Sequence, residues 1–510
     1  METIVAIDIG TTGAKATLIS RQGKILASAY VGYPTDSREN RVEQSPDDWW
    51  EAACASLHSL REQHPHLKPV GIALSGQMQD VILVDTEKSL APAILYADTR
   101  AQQEARQVLE RLGEERLQQV TGNLQDASGL LAKLLWLKEH RPALYQSAHT
   151  LLVGAHDYLA WKLGGARVAD YTTAATTGLL DLKANAWADG LFKTLGLRLD
   201  WLPELVPAEA RVGQIDEAAA KETGLPAGLP IFHGAGDAAT TTLGAGAGEP
   251  GRYYVYLGTS GWLAATQTGE PADPRTGIFN LRHPDPAQLI MIGPMLTAAG
   301  NFEWLRQQFG PLELAAWPAQ EANPYDILNA QAAQAPAGSH GVIYLPYLAG
   351  ERSPFRDAHA RGVFFGLTVN TTRQDLYRAV LEGVAFSMRA IRQAMSLANQ
   401  MAASELSLVG GGARSALWAQ IFADVFACRV KVLADPGDVG ARGAALIAGK
   451  ALGWYDSFWP NAAYFPVQGV YEPASPAVQQ YDRLFTVFGG LYPALQASFT
   501  ALGQVMKPAR

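Results

Sequence analysis

Apolar and β-branched residues dominate the start of the chain, over 3–20 and 24–33, and a polar turn at 21–23 interrupts them. This pattern predicts the strands of a meander. A helix is predicted after Ser45, because Ser at the N-cap, Pro46 at the first position and acids in the first turn form a start signal. Apolar residues then recur at helical spacing.

A polar segment between two apolar runs is the next feature. The runs at 69–74 and 81–85 are short enough for buried strands, and residues 75–80 between them read Ser-Gly-Gln-Met-Gln-Asp. We expect these polar side chains to line a cleft. Helices are predicted over 100–112 and through 127–164.

The second half repeats the same kinds of pattern. A strand from 230 leads into Gly234-Ala-Gly-Asp237 and a helix of small residues. The further predictions, in chain order, are a hairpin at 252–265, a strand at 288–293, a helix from 297, surface helix and loop over 315–340, a helix from 373 to about 401, a strand and turn at 406–414 before a helix from Ser415, and helices at 438–453 and 477–503.

A turn of glycines and hydroxyls occurs twice, half a chain apart. Gly10-Thr-Thr-Gly13 and Gly258-Thr-Ser-Gly261 each lie between two β-rich runs, so each is predicted to close a hairpin. Glycines let a ligand approach the backbone, and N–H and hydroxyl groups suit phosphate oxygens. The pair therefore predicts a duplicated domain that holds one polyphosphate from both sides. Asp8 precedes only the first turn, and an acid beside phosphates indicates a bridging Mg²⁺.

Composition narrows the class of protein. The chain has 510 residues, 48% hydrophobic and 18% charged, which predicts a globular protein of at least two domains. A net charge of −8 argues against a nucleic-acid surface. The two cysteines follow no CxxC pattern, so we expect neither a disulfide framework nor a thiolate zinc site. No apolar run is long enough for a bilayer, and a cytoplasmic location is predicted.

Two further turns follow predicted strands, at 234–237 and 410–412. None of the four turns has the glycine-lysine-hydroxyl ending of a Walker A loop or the spacing of the dinucleotide fingerprint. Asp237 permits two interpretations, a helix N-cap or a general base that takes a proton from a sugar hydroxyl. We interpret His156 as a helix residue, packed or exposed, and His233 as a supporting residue beside the turn.

Longer motifs run through nearly the whole chain in one order. They resemble the FGGY family of carbohydrate kinases, within the actin-like ATPase superfamily, and its xylulokinase branch most. The matching stretches are AIDIGTTGAKATL, VEQSPDDWW, SGQM, YADTR, KLLWL, ADYTTAATTGLLDL, GAGDAA, YLGTSG, LPYLAGERSP, RGVFFGL, RAVLEGVAF and LVGGGARSALWAQIFADV. The resemblance implies an α/β fold of two actin-like (ribonuclease-H-like) domains, with mixed β-sheets flanked by helices and the active site in the cleft between them.

The resemblance also implies roles for particular residues, with ATP and Mg²⁺ as cofactors. Asp237 matches the catalytic base, which also contacts the sugar, and Asp8 matches the magnesium-associated acid. The positions that match sugar-binding residues are Gln77, Met78, Gln79, Asp98 and Arg100. The positions that match residues of the ATP site are Thr11, Thr12, Lys15, Gly258, Thr259, Gly300, Gly411, Gly412, Ala413 and Ser415.

The resemblance implies ATP-dependent phosphorylation of D-xylulose to D-xylulose 5-phosphate, with ribulose, another ketose or a polyol as alternatives. Two departures bear on this. Xylulokinases usually have His-Gly in place of Gln79-Asp80 and Asn in place of Ala238, whereas glycerol kinases usually carry Arg-Glu at 78–79 and Gln at 238. Glycerol is therefore disfavoured. We expect Asp80 to supply a hydrogen-bond acceptor that suits a neutral sugar and opposes a sugar acid.

The motif order also predicts the domain limits. Residues 1–246 are expected to form the sugar-binding domain, 247–455 the nucleotide-binding domain and 456–510 a helical extension, with a hinge near 244–251. The expected partners are the sugar and ATP, with no nucleic acid or membrane, and a homodimer is possible. The alternative of a different class, a nucleotide-binding actin-like regulator without kinase activity, is disfavoured because Asp237 is present and no terminal helix-turn-helix is seen.

Overall fold

The computed structural model describes residues 2–66, 68–315, 323–395 and 405–505. The strands are β1 (Thr3–Ile9), β2 (Gly13–Ser20), β3 (Ile25–Gly32), β4 (Asp36–Arg38), β5 (Arg41–Gln44), β6 (Pro69–Gly76), β7 (Met78–Val84), β8 (Ala93–Ile94), β9 (Thr150–Gly154), β10 (Val168–Asp170), β11 (Leu180–Asp181), β12 (Ala186–Trp187), β13 (Glu204–Val206), β14 (Arg211–Gln214), β15 (Pro230–Gly236), β16 (Tyr253–Leu257), β17 (Gly261–Gln267), β18 (Phe279–Arg282), β19 (Leu289–Met295), β20 (Ile343–Leu345), β21 (Val363–Phe365), β22 (Glu405–Val409), β23 (Arg429–Leu433) and β24 (Val467–Tyr471).

The helices surround these strands. They are α1 (Pro46–Gln63), α2 (Gln102–Leu112), α3 (Glu114–Thr121), α4 (Leu130–His140), α5 (Pro142–Ser147), α6 (Ala155–Lys162), α7 (Tyr171–Thr176), α8 (Asp189–Leu195), α9 (Glu217–Thr223), α10 (Asp237–Gly244), α11 (Ala299–Ala315), α12 (Pro324–Ala332), α13 (Arg373–Met395), α14 (Ala416–Phe426), α15 (Val439–Ala451) and α16 (Ser475–Val505). Within the described residues, no helix combines the length and the hydropathy needed to cross a membrane.

The first lobe is built on a six-stranded mixed sheet in the order β14-β15-β6-β1-β2-β3. β1, β2 and β3 form the antiparallel meander, and β6 and β15 run parallel to β1. β1 is apolar on both faces because both are covered. Val5, Ile7 and Ile9 pack in a core with Trp49 of α1, whereas the neighbouring side chains of β1 pack against the small residues of α15.

The second lobe repeats this plan. Its seven-stranded sheet has the order β18-β19-β17-β16-β22-β23-β24, with the β16–β17 hairpin antiparallel and β22 parallel to β16. α13 and α14 pack against it in the largest core of the molecule. A five-stranded sheet, β4-β5-β8-β7-β9, is added to the first lobe, and α2, α4 and α8 share its core.

Helices α10 and α15 join the two lobes at a pair of glycines. A Cβ added to Gly244 would lie 1.8 Å from the carbonyl oxygen of Val439, and one added to Gly443 would lie 1.8 Å from that of Thr240. No side chain fits between the two backbones, so both positions require glycine.

Most predicted elements are confirmed. Both glycine-hydroxyl turns close antiparallel hairpins, and Ser45 is the N-cap of α1, although its side chain makes no capping bond. The prediction of helices through 127–164 was wrong over β9. This segment is a run of five buried residues, and a short apolar run has no hydrophobic periodicity that would distinguish a strand from a helix. β24 was also missed. Part of the predicted surface segment, 316–322, and the end of the predicted helix, 396–401, lie outside the described residues.

Candidate active site

Three parallel strands of the first lobe end at one edge of the sheet. In β1 and β6, Asp8 pairs with Ser75, and in β6 and β15, Gly76 pairs with Gly236. Loops at the carboxyl ends of parallel strands converge, and ligands of open α/β sheets bind there. This edge therefore brings together the Gly10–Gly13 turn, the polar segment after Gly76 and Asp237.

Asp237 lies at the start of α10, with Gly236 as the N-cap, so Asp237 does not cap the helix. Burial, together with the charge of the nearby Asp8, raises the pKa of the Asp237 carboxyl to about 7. A carboxyl with this pKa takes up a proton far more readily than an ordinary aspartate, which is the property a general base near neutral pH requires.

Asp8 is placed to receive a cation. Its Oδ1 is buried and has no hydrogen-bond partner among the described residues. Burial raises the pKa of the Asp8 carboxyl, while Ser75 and the positive charge of Lys15 oppose that rise. An unpartnered carboxylate oxygen, close to a second carboxylate, is a donor of the kind Mg²⁺ prefers. The residues present therefore fit a magnesium ion.

The first turn connects to the second lobe through Lys15. The Lys15 ammonium lies 2.7 Å from Asp438 Oδ1 and donates to the Gly437 carbonyl at 2.8 Å. Thr11 and Thr12 are exposed at the tip of the hairpin, where Tyr30 donates to the Thr12 carbonyl at 2.8 Å. Sequence reasoning missed Asp438, because nothing in the sequence indicates a pair so distant in the chain.

A cavity of about 570 Å³ opens in the second lobe where β16 and β22 end. Gly411 faces open space, so a ligand can contact its backbone. Of the predicted nucleotide residues, Gly258, Thr259, Gly300, Gly411, Gly412 and Ser415 line it, whereas Ala413 is buried and does not. The predictions missed the other lining residues, which include Tyr256, Glu303, Tyr325, Asp326, Asn329 and Arg414.

A second cavity, of about 300 Å³, lies between the lobes. Gln79 lines it, with a left-handed backbone (φ 65°), and its Nε2 donates to the Ser128 carbonyl at 3.3 Å. Met78, one residue earlier, packs on Gly236 and so lies beside Asp237. Gln77 is buried and donates to Gln44 Oε1 at 2.9 Å, which leaves its own Oε1 unpartnered.

Comparison with known proteins identifies this arrangement. The model of the FGGY family of carbohydrate kinases, N-terminal domain, matches residues 3–244, and that of the C-terminal domain matches 253–452. The chain is 34% identical to a xylulose kinase of Klebsiella pneumoniae over 500 residues, covering 96% of this chain and 99% of that one. It is 28% identical to a gluconokinase of Bacillus subtilis (strain 168) over 508 residues, covering 99% and 98%.

A solved structure of a related kinase has the same fold. A ligand-bound xylulose kinase from Lactobacillus acidophilus superimposes with a TM-score of 0.89 at 27% identity, covering 98% of this chain and 100% of that one. The chain belongs to the FGGY family of carbohydrate kinases. The predicted two-domain actin-like fold is thereby confirmed, and so is the prediction of a carbohydrate kinase, for which ATP is the cosubstrate.

In this carbohydrate kinase, Asp98 and Arg100 bind each other. The Arg100 Nη2 lies 2.6 Å from both Asp98 Oδ2 and Glu43 Oε1, and its guanidinium stacks 5.0 Å from the Trp136 ring centre. Asp98 Oδ2 also accepts from the Val42 N–H at 2.7 Å. Neither residue lines the second cavity, and their sugar contact stays a prediction.

Asp80 lies deeper in the fold than its polar neighbours in the sequence suggest. Asp80 is fully buried, its Oδ1 accepts from the Tyr96 N–H at 3.0 Å, and it does not line the second cavity. Burial holds the pKa of its carboxyl well above the ordinary value, although the Lys133 charge opposes this. Asp80 therefore lies in the interior of the first lobe, where its Oδ2 has no hydrogen-bond partner among the described residues and the Asp237 charge also raises its pKa. Its part in substrate choice stays a prediction.

The second cavity contains charges that the sequence predictions missed. Arg352 and Arg356 line it from the second lobe, and Arg356 Nη2 meets Asp126 Oδ2 of the first lobe at 3.0 Å. No described carboxylate forms a salt bridge with the Arg352 side chain. Both arginines lie in or just after the motif LPYLAGERSP, a signal that could have drawn attention to them.

Proposed function

We propose that this carbohydrate kinase transfers the terminal phosphoryl group of ATP to D-xylulose, forming D-xylulose 5-phosphate. The observation that carries the proposal is the position of Asp237, a carboxyl with a pKa of about 7 beside a phosphate-type turn and next to Met78. The second cavity, which Gln79 lines, presents mainly neutral amide and hydroxyl groups, from Gln79, Tyr96, Thr99, Gln125, Ser128 and Thr176, which suit a neutral polyhydroxylated ligand.

Asp237 acts as the general base. Its carboxylate accepts the proton of the attacking sugar hydroxyl as the oxygen bonds to phosphorus and the bond to the leaving ADP oxygen breaks. The raised pKa brings the basicity of the carboxylate closer to that of the hydroxyl, which favours this transfer. The protonated Asp237 then returns its proton to solvent.

The two turns hold the phosphates between them. Thr11 and Thr12 offer hydroxyl and backbone donors from the first lobe, and Gly258 and Thr259 offer them from the second. Asp8 would hold the Mg²⁺ ion, which neutralises charge on the phosphate oxygens during transfer. The cavity lined by Gly411 and Ser415 accommodates the nucleoside, and Ser415 is fixed there because its hydroxyl donates to Asn329 Oδ1 at 2.8 Å.

Gluconate is the second candidate substrate, and the Arg352 guanidinium supports it. A cation without a carboxylate partner in the cavity can pair with a sugar acid, and the chain is 28% identical to a gluconokinase. Xylulose remains first because the other lining side chains are mostly neutral and because the xylulose kinase relative is 34% identical.

A substrate panel tests the proposal. We would measure kcat/KM with ATP and Mg²⁺ for D-xylulose, D-ribulose, xylitol and D-gluconate, using the wild type, Gln79→His and Arg352→Gln. We expect D-xylulose to lead, and Gln79→His to change the ranking because the amide faces the cavity. A wild-type preference for gluconate that Arg352→Gln abolishes would establish the second candidate and refute the first.

A further inference from the structure

A buried group of two histidines and two aspartates lies in the first lobe. His156 and Asp157 are at the start of α6, Asp170 ends β10, and His233 lies in β15, the strand that leads to Asp237. All four side chains are at most 1% exposed. One nitrogen or oxygen atom from each residue lies within 4.8 Å of those from the other three. We call these residues the His₂Asp₂ cluster, and the proposed phosphoryl transfer does not use it.

We propose that the His₂Asp₂ cluster binds a divalent transition-metal ion, with Zn²⁺ preferred. Imidazole nitrogen and carboxylate oxygen are ordinary zinc ligands, and four protein ligands without an open position make a structural site. His233 Nε2 lies 3.1 Å from Asp157 Oδ1, and His156 Nε2 lies 3.4 Å from that oxygen and 2.9 Å from Asp170 Oδ2. Tetrahedral ligands with bonds of about 2.0 Å lie about 3.3 Å apart, and these three separations are close to that value. The shortest is a hydrogen bond in the metal-free chain, which an ion would replace.

The two carboxylates are already oriented for such an ion. Asp157 Oδ2 accepts from the N–H groups of Val153 and Gly154, at 3.1 and 2.9 Å. Asp170 Oδ1 accepts from those of Thr172 and Thr173, at 2.9 and 3.0 Å. Each carboxylate thus binds the backbone through one oxygen and turns the other into the cluster. Outer contacts of this kind fix the ligands of metal sites.

His233 supplies the strongest argument for a cation. Its Nδ1 lies 3.3 Å from the Gly234 carbonyl oxygen, and the tautomer with the ring proton on Nδ1 would satisfy that oxygen and leave a lone pair on Nε2. In that tautomer Nε2 faces Asp157 Oδ1, another acceptor, at 3.1 Å. Both atoms are buried and neither has a hydrogen-bond partner among the described residues. A metal ion placed beside the line between them would bind both atoms.

The charges of the cluster also balance around a divalent ion. Burial opposes protonation of His156, but Asp157 and Asp170 favour it and its pKa is raised on balance, so a proton offsets part of the carboxylate charge in the metal-free chain. Metal ligation requires both imidazoles to be neutral, and the two carboxylates then leave a charge of −2 in a region that water does not reach. Buried charge without a partner is strongly unfavourable, and one divalent ion neutralises it. The ion would fasten β15 to α6 and β10, and it would thereby stabilise the strand that positions Asp237.

Metal analysis of the purified full-length protein tests the proposal. The wild type, His233→Gln and a matched control, His283→Gln, would be grown with added Zn²⁺, passed into metal-free buffer and analysed by mass spectrometry for Zn, Mn, Fe, Co and Ni. His283 is a buried histidine outside the cluster. We expect about one equivalent of Zn per chain in the wild type and the control, and at most about a tenth of that in His233→Gln.

A second measurement uses only the wild type, in case His233→Gln does not fold. Cobalt reconstituted into the chelator-treated protein should give the intense visible absorption of a tetrahedral ion, and added Zn²⁺ should raise the melting temperature. A folded wild type that retains no transition metal and gains no stability from Zn²⁺ would overturn the proposal. Equal Zn in the wild type and a folded His233→Gln would do the same, because the metal would then lie elsewhere.

Discussion

The substitution Asp237→Asn is expected to lower the activity and to raise the stability of the folded chain at high pH. The folded chain keeps a proton on Asp237 up to about pH 7, whereas an unfolded aspartate loses it near 3.8. Between these values the folded state binds more protons than the unfolded state, so the free energy of unfolding falls as the pH rises. The pKa difference corresponds to at most about 4 kcal/mol at pH 8, since one pKa unit is about 1.4 kcal/mol.

Asparagine has nearly the same shape as aspartate and no charge, so the free energy of unfolding of the variant should not fall in this way as the pH rises. We expect Asp237→Asn to melt at a higher temperature than the wild type at pH 8, with a much smaller difference at pH 4.5, in buffer without Mg²⁺ or nucleotide. Turnover should fall by about 10²–10⁴-fold, as is typical when a general base is removed. The wild-type kcat/KM should rise with pH to a plateau above about pH 7.

Melting curves, a coupled ADP-release assay and nucleotide titrations would measure these effects, with Asp189→Asn as a control at an exposed acid on α8. Nucleotide affinity should hardly change, because Asp237 does not line the second-lobe cavity that is the proposed nucleotide site. A stability difference that is the same at both pH values would show that Asp237 is not a buried neutral acid. Near-normal turnover would show that it is not the base.

Three further predictions concern other parts of the site. Asp8→Asn should raise the Mg²⁺ concentration needed for half-maximal turnover, and an unchanged Mg²⁺ titration would contradict the assignment of its unpartnered oxygen. Thr259→Val should weaken nucleotide binding, measured by calorimetry, by about 1–2 kcal/mol, because the variant loses one hydrogen bond to a charged phosphate group. The KM for the sugar should change little. Gly443→Val should prevent folding or strongly lower the melting temperature, because the added Cβ would overlap the Thr240 carbonyl. In the control Gly453→Ala the added Cβ would meet nothing within 4 Å, so this variant should lose little stability beyond the cost of backbone strain.

Local signals allowed much of the fold to be predicted from the sequence. The turns at Gly10 and Gly258 were found because glycines and hydroxyls between apolar runs mark a hairpin wherever the runs pair. The strand, turn and helix around Gly410 were found for a similar reason, and Ser415 does cap the helix by accepting from the Trp418 N–H at 3.2 Å. Such features depend on neighbours in the chain, so the sequence carries them directly.

The predictions were incomplete where contacts between distant segments decide the structure. Asp80 looked like a polar cleft residue because its neighbours are polar, yet the packing of α4 places the Lys133 charge near it and removes both from solvent. The pairing of Lys15 with Asp438 across the lobes could not be inferred from either segment alone. Arg352 and Arg356 reach the cavity only because the second lobe faces the first.

The glycine crossing of α10 and α15 has a geometric consequence for catalysis. Thr240 touches α15 there, and Asp237 lies three residues earlier, about 5 Å along the helix axis. A rotation of about 10° between the lobes about this point would move the Asp237 backbone by about 1 Å, but a group about 25 Å away by about 4 Å. If the lobes turn about this crossing, Asp237 would therefore keep nearly the same position whatever the angle between them, whereas groups of the second lobe farther from the crossing would move several times as far.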